Sequence, residues 1–262
     1  MMNRILTIVD KEWAEVFKNR IVLFTVVLLP VIFTILPLVI LSSTRSIGDG
    51  SNTTDVPAAF AMACGKLTGM DCLQIYMVNE FLILFMIMPV AIPVAIAAYS
   101  IVGEKATRSL EPLLATPITT EELLAGKSLA AAIPAILATW ACFAIFLLLS
   151  PLTGISAGVQ HYLLGPTWIL AVILLGPLMA IMAVNFAVIV SSRVNDPRAA
   201  EQISMVIIVP VLGVMFGQLG GLLVINVQLV LVSAVVLAAL DCILVYFGAR
   251  LFQRETILTK WR

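Results

Sequence analysis

The stretch that comes nearest to a nucleotide-binding motif is Glu121–Ser128, EELLAGKS, whose Gly-Lys-Ser ending matches the close of a phosphate-cradling P-loop. Such a loop presents backbone N–H groups to phosphate, and it needs a leading glycine and a non-helical path to do so. Glu121 stands where that glycine belongs, and Thr119 with Glu122 three residues on is a capping-box pattern that starts a helix instead. The chain is therefore not expected to hydrolyse ATP itself, and it offers no soluble stretch long enough for a nucleotide fold. Other chemistry is as thinly supplied. His161 is the single histidine and no H-E-x-x-H occurs, so a zinc-protease site is excluded. The eleven methionines, Met86, Met88, Met182 and Met215 among them, suit flexible packing better than a soft-metal path, so no metal is expected. Cys64 and Cys72 share one polar stretch and can pair if it faces an oxidising exterior, whereas Cys142 and Cys242 fall in apolar runs as packing residues.

What must position these groups is set by composition. Of 262 residues, 61% are hydrophobic and 11% charged, with a mean hydropathy of +1.12, far from the roughly 45–50% apolar and 25% charged usage of soluble domains. The formal net charge is zero, which gives no general attraction to nucleic acid. Apolar runs at 21–41, 81–102, 128–149 and 168–190 are each long enough to cross a hydrocarbon core. From Ile203 to Ala249 the only charge is Asp241. As one helix this run would be roughly 70 Å long, so it must fold back. The glycine-rich Gly217–Gln228 is the expected turn, giving spans at 203–217 and 229–249. The fold class is thus an all-α membrane protein, a single transmembrane domain over 1–262 with six transmembrane helices.

Charge placement orients it. Of the fifteen basic residues only Arg45 and Lys66 fall on one side of a six-span arrangement; Arg4, Lys11, Lys18, Arg20, Lys105, Arg108, Lys127, Arg193, Arg198, Arg250, Arg254, Lys260 and Arg262 fall on the other. Cytoplasmic flanks are enriched in Lys and Arg, so both termini are expected in the cytoplasm. Residues 1–20 mix acids and bases ahead of an apolar run longer than a signal h-region, so the first span is expected to be retained. Residues 5–20 read as an interfacial amphipathic helix, with Leu6, Val9, Trp13 and Val16 or Phe17 on its apolar face, Asp10, Lys11, Glu12, Glu15 and Lys18 elsewhere, and Trp13 as the headgroup anchor.

Within the spans, Asp241 reads as the only ionisable residue, about nine residues or roughly 13 Å from the Arg250 flank. An intramembrane charge marks either a pathway or a hydrogen bond to a neighbouring helix, and Asn185 in the fourth span is the candidate partner. Gly213, Gly217 and Gly221 recur at four-residue spacing, a small-xxx-small pattern that serves a subunit interface or an internal helix contact, unless Gly217 and Gly221 belong to the turn. The stretch 42–79 is the long outer loop. The inner stretch 103–127, GEKATRSLEPLLATPITTEELLAGK, is patterned as a helix, a break and a helix: Ser109 caps a short helix that tolerates Pro112 in its first turn, Thr116-Pro117 breaks the chain, and the Thr119 box starts the next helix.

That inner stretch resembles the cytoplasmic signature of the type-2 export permeases of ATP-binding-cassette (ABC) transporters: Glu104 closing the second span, then Leu110, Glu111, Leu113, Leu114, Thr116 and Pro117, then Gly126 and Lys127 entering the third. The resemblance extends over the amphipathic start, the six-span order and the cytoplasmic ends. It departs at the link between spans five and six, which in the family commonly carries re-entrant helices and here is short. It implies a cytoplasmic coupling helix between spans two and three that docks on a separate ATPase. Glu104, Arg108 and Glu111 would be its polar contacts and Leu110, Leu113 and Leu114 its apolar ones. It further implies two ATPase subunits carrying ATP and Mg, a second permease subunit, identical or related, a pathway between the two permeases, and a multi-pass place in the plasma membrane, the inner membrane of a prokaryote. An ion-coupled secondary transporter using Asp241 is the alternative, although no pair of inverted halves is apparent. A membrane-embedded enzyme is weaker still, because Asp241 has no acidic partner in another span.

Overall fold

The structure, a computed structural model, describes residues 2–18, 20–44, 57, 60–61, 64, 69–106 and 119–251. Of these, 89% are helical and none lies in a strand. The helices are α1 (Met2–Val16), α2 (Arg20–Thr44), α3 (Met70–Phe85), α4 (Met88–Ala106), α5 (Thr120–Leu149), α6 (Ala157–Leu163), α7 (Pro166–Leu170), α8 (Gly176–Arg193), α9 (Pro197–Ser204), α10 (Val209–Leu219) and α11 (Val227–Leu251). Among the described residues six stretches are long and apolar enough to cross a membrane: Val22–Ser43, Met70–Ser100, Glu122–Thr153, Ala157–Arg193, Pro197–Leu219 and Val227–Gly248. One end of the bundle thus carries α1, the ends of α4 and α8, and the starts of α5 and α9. The other carries the Cys64 region, α6 and the α10–α11 turn.

Three of the six stretches are interrupted, and each interruption precedes a proline, which has no N–H for the residue four back and crowds its carbonyl. Before Pro89 the chain turns at Met86–Ile87 between α3 and α4. Ahead of Pro177 it widens into a π turn at Ala171–Leu175, where the Gly176 N–H bonds the Ala171 carbonyl. Ahead of Pro210 it tightens into a 3-10 turn at Met205–Ile208. Pro30, Pro37, Pro93 and Pro134 sit inside helices that continue through them.

The second stretch is the hub. Its most apolar window is 83% buried within the chain, against 18% for the first stretch, 11% for the fifth and 17% for the sixth. Around α3–α4 pack α2, α5, α8, α9 and α10, while α11 packs chiefly on α8. Ala91, Ala95, Ala98, Ala131, Ala135, Ala180, Ala183 and Ala187 are all fully buried, so these crossings are made by small side chains that let backbones approach. The outward faces of α2, α10 and α11 display Phe24, Ile35, Phe216, Val235 and Phe247, apolar surface that in a bilayer meets lipid or another subunit.

Helix α3 begins at Met70 rather than at residue 81, so the last part of the 42–79 stretch is helical and continuous with the second span. The amphipathic helix α1 forms, but its packed face differs from the expected one. Ile5, Ile8, Val9, Glu12 and Val16 are buried, while Leu6 is exposed. The apolar period admits either face, and the buried partner for Glu12 decides between them.

Candidate functional site

At the α1 end, three helices meet on one charge. The Lys127 ammonium, in the second turn of α5, donates to Glu12 Oε1 of α1 at 2.7 Å and to Ser100 Oγ of α4 at 2.8 Å. The Glu12 and Lys127 side chains are only 2% and 5% exposed. Burial pushes the Glu12 carboxyl up, but the Lys127 charge, the hydrogen bonds from Lys127 and Ser100, and Lys11 at 3.6 Å together outweigh it and hold the carboxyl below its ordinary range. Beside this pair, the Trp13 indole N–H donates to the Ala130 carbonyl at 2.9 Å, so Trp13 ties α1 to α5. Gly126 is where α1 comes closest: a Cβ there would stand 2.7 Å from Ile8 Cγ2 and 2.9 Å from Ile8 Cβ.

The start of α5 is built as its sequence requires. Thr119 Oγ1 accepts from the Glu122 N–H at 3.2 Å, and Glu122 Oε2 accepts from the Thr119 N–H at 3.0 Å, the reciprocal capping box. Glu122 Oε2 also lies 3.6 Å from Arg4 of α1. Residues 121–128 are therefore helix rather than phosphate loop. Of the expected coupling residues, Glu104 lies in the last turn of α4; Arg108, Leu110, Glu111, Leu113 and Leu114 lie outside the described residues. At this end, Tyr99, Arg198, Glu201, Gln202 and Met205 line a cleft between α4 and α9. Helix α9 is capped by Asp196, whose Oδ1 accepts from the Arg198 N–H at 2.7 Å.

Inside the bundle Asp241 is buried, and neither of its carboxyl oxygens has a hydrogen-bond partner. The pairing with Asn185 is not made, because the Asn185 amide donates to the Ile181 carbonyl of its own helix at 2.9 Å. Nor is Asp241 the only ionisable residue within a span. Because α3 starts early, Glu80 sits within it, with both carboxyl oxygens buried. Gln218 of α10, 1% exposed, stands beside Glu80, and the two face each other with no other hydrogen-bond partner among the described residues. The sequence carries a signal for Glu80, an acid among the apolar residues of α3, nine positions beyond Asp71 in its first turn. The expectation of an outer loop over 42–79 hides it. A neighbouring polar group, Asn79, is fully used: its amide donates to the Tyr162 hydroxyl at 2.9 Å and its Oδ1 accepts from the Trp168 indole at 2.9 Å, locking α3 to α6 and α7.

At the opposite end Cys64 and Cys72 are joined in a disulfide, their Cα atoms 5.7 Å apart. Around it Phe60, Ile75 and Val159 form a small buried cluster against which Tyr76, Tyr162 and Val224 pack. Through this cluster Phe60 and Cys64 pack onto α3, α6 and the α10–α11 turn. That turn redefines the glycine stripe. Helix α10 ends at Leu219, and Gly221 takes φ +70°, with the Leu222 N–H bonding the Gly217 carbonyl at 2.8 Å and the Gly221 N–H bonding Gln218 at 2.9 Å. This is a Schellman ending in which Gly221 supplies the left-handed residue. Gly217 receives Leu223 of the turn against its backbone, and only Gly213 faces open space. Gly217 and Gly221 therefore shape the turn rather than a helix–helix seam of this chain. Asn226 then starts α11 by accepting from the Leu229 N–H at 2.8 Å.

The family described as ABC-2 family transporter protein matches residues 6–233. No curated protein matches the chain.

Proposed function

The chain belongs to the ABC-2 transporter family, and on that premise we propose that it is the membrane-spanning permease subunit of an ATP-driven exporter, coupled through 103–127 to a separate ATPase. The observation that carries this reading is how that segment is framed: the permease signature from Glu104 to Thr116-Pro117 runs from the end of one helix to the start of the next, and those helix ends are tied to each other and to α1. A docking segment hung from such a base would pass a push to spans two and three. Two permease subunits, identical or related, flank the pathway, and two ATPase subunits bind ATP and Mg. Gly213, facing open space on an α10 that is little buried, suits the seam between the permeases. The basic flanks favour a cytoplasmic position for both termini, and with them the ATPases; the resemblance to export permeases favours the plasma membrane of a prokaryote.

Within the bundle Asp241, with Glu80 and Gln218, supplies the polar points of the path, since ionisable groups buried within spans mark pathways or relays in membrane proteins. Family membership speaks against an ion-coupled secondary carrier and against an embedded enzyme. The test is reconstitution of the permease with a candidate ABC ATPase subunit, scored by ATP hydrolysis that depends on the permease. Glu104→Ala and Glu111→Ala should lower that stimulation at least fivefold while the variants remain folded. Unchanged stimulation in both sinks the coupling assignment. Substrate movement only into vesicles whose ATPase face is outward supports export, and the opposite sense contradicts it.

A further inference from the structure

The coupling segment enters from α4 and leaves into α5, and Ser100 and Lys127 stand on those two walls. A single buried ammonium joins both walls to Glu12 of α1. An ion pair this deep is a poor source of stability compared with apolar residues of equal volume, and its best-attested use is to hold elements in one register. The surroundings share that purpose. Gly126 admits Ile8 against the α5 backbone, Trp13 bonds the Ala130 carbonyl, and Arg4 reaches Glu122 at the first turn. From Arg4 to Trp13, α1 is thus fastened to α5, and sliding it would pull Glu12 away from Lys127.

We propose that Glu12, Lys127 and Ser100 form a clamp that makes α1 part of the coupling machinery, so that a push on 107–118 moves α1, the foot of α4 and the foot of α5 as one body. Lys127 is a positioning residue in this arrangement. The inference rests on the reading of 103–127 as the coupling segment, and it adds a role for α1 that this reading does not contain.

The experiment uses the permease assembled with its ATPase in lipid vesicles and measures permease-stimulated ATP hydrolysis per folded complex, alongside the thermal midpoint. Spin labels at Glu15→Cys on α1 and Leu129→Cys on α5, with Cys142 and Cys242 replaced by serine, report the separation of the two helices. The clamp predicts one narrow distance, the same with and without ATP trapped by vanadate. Lys127→Met should broaden that distance and lower stimulation about tenfold, and the exchange Glu12→Lys with Lys127→Glu should restore both to within about twofold. Ser100→Ala, which keeps the ion pair, should lower stimulation two- to threefold. The proposal is overturned if Lys127→Met lowers the midpoint but leaves stimulation per folded complex unchanged, or if the exchanged pair regains its midpoint without regaining stimulation. Should Lys127→Met not assemble, the exchanged pair and Ser100→Ala decide by the same criteria. Loss of stimulation in Glu111→Ala together with full stimulation in the clamp variants would remove the clamp and leave the coupling segment standing. Full stimulation in both would remove the coupling segment itself.

Discussion

Replacing Lys127 by methionine keeps much of the side-chain volume and removes the charge, leaving the Glu12 carboxylate 2% exposed beside an apolar neighbour. Breaking a buried pair from one side costs about 3–5 kcal/mol, since the remaining charge keeps its desolvation penalty and loses its partner. Lys11, 3.6 Å from Glu12 but itself 38% exposed, recovers only a small part of this. The cost depends on pH with a definite sign. In the native protein the Glu12 carboxyl is held below its ordinary range, so its stabilising contribution is present above that range and is lost as pH falls through the lowered value. Without Lys127, burial is left as the dominant influence and the carboxyl moves up instead. Acidification then relieves the variant while it costs the native protein. The deficit of Lys127→Met is therefore greatest near neutrality and narrows toward pH 4. Unfolding of the detergent-solubilised protein at several pH values measures it. The double variant Glu12→Leu with Lys127→Met should recover native stability or exceed it. A single-variant deficit under about 1 kcal/mol, or one that does not change with pH, would refute the reasoning that the pair is dry and mutually dependent.

Gly126→Ala forces a methyl group to within 2.7 Å of Ile8 and should cost about 1–3 kcal/mol, with α1 more readily cleaved in limited proteolysis; adding Ile8→Ala should restore resistance. Asn79→Leu strands the buried Trp168 indole N–H and the Tyr162 hydroxyl, and a loss of about 1–3 kcal/mol per stranded group is expected in thermal unfolding, with a changed tryptophan emission. Cys64 and Cys72 should take up a maleimide only after reduction, read by mass shift, and uptake without reductant would contradict the bonded pair.

Much of the frame is legible in the sequence because a bilayer leaves few choices. Uncharged runs of sufficient length must be helices, and the single fold-back between Ile203 and Ala249 had to fall at its glycines. What pairs with what is less legible. Glu12 and Lys127 lie 115 positions apart, and an amphipathic period places Glu12 with the solvated charges until α5 supplies a counter-charge. Glu80 was hidden by assigning its neighbourhood to a loop, although α3 is apolar enough on either side to be a span. The glycine stripe has the same spacing whether it builds a helix seam or a turn, and only the positive φ of Gly221 separates the two. The coupling residues Arg108 to Leu114 rest on pattern and family alone.

Those residues are where the account is most directly tested. A photoreactive amino acid placed at Glu111 or Leu113 in the assembled transporter, irradiated and resolved by mass spectrometry, reports what this segment touches. A crosslink to the ATPase subunit is expected, absent when the same probe sits at Leu152 on the opposite end of the bundle. Crosslinks from Glu111 and Leu113 only to lipid or to the permease itself would contradict it.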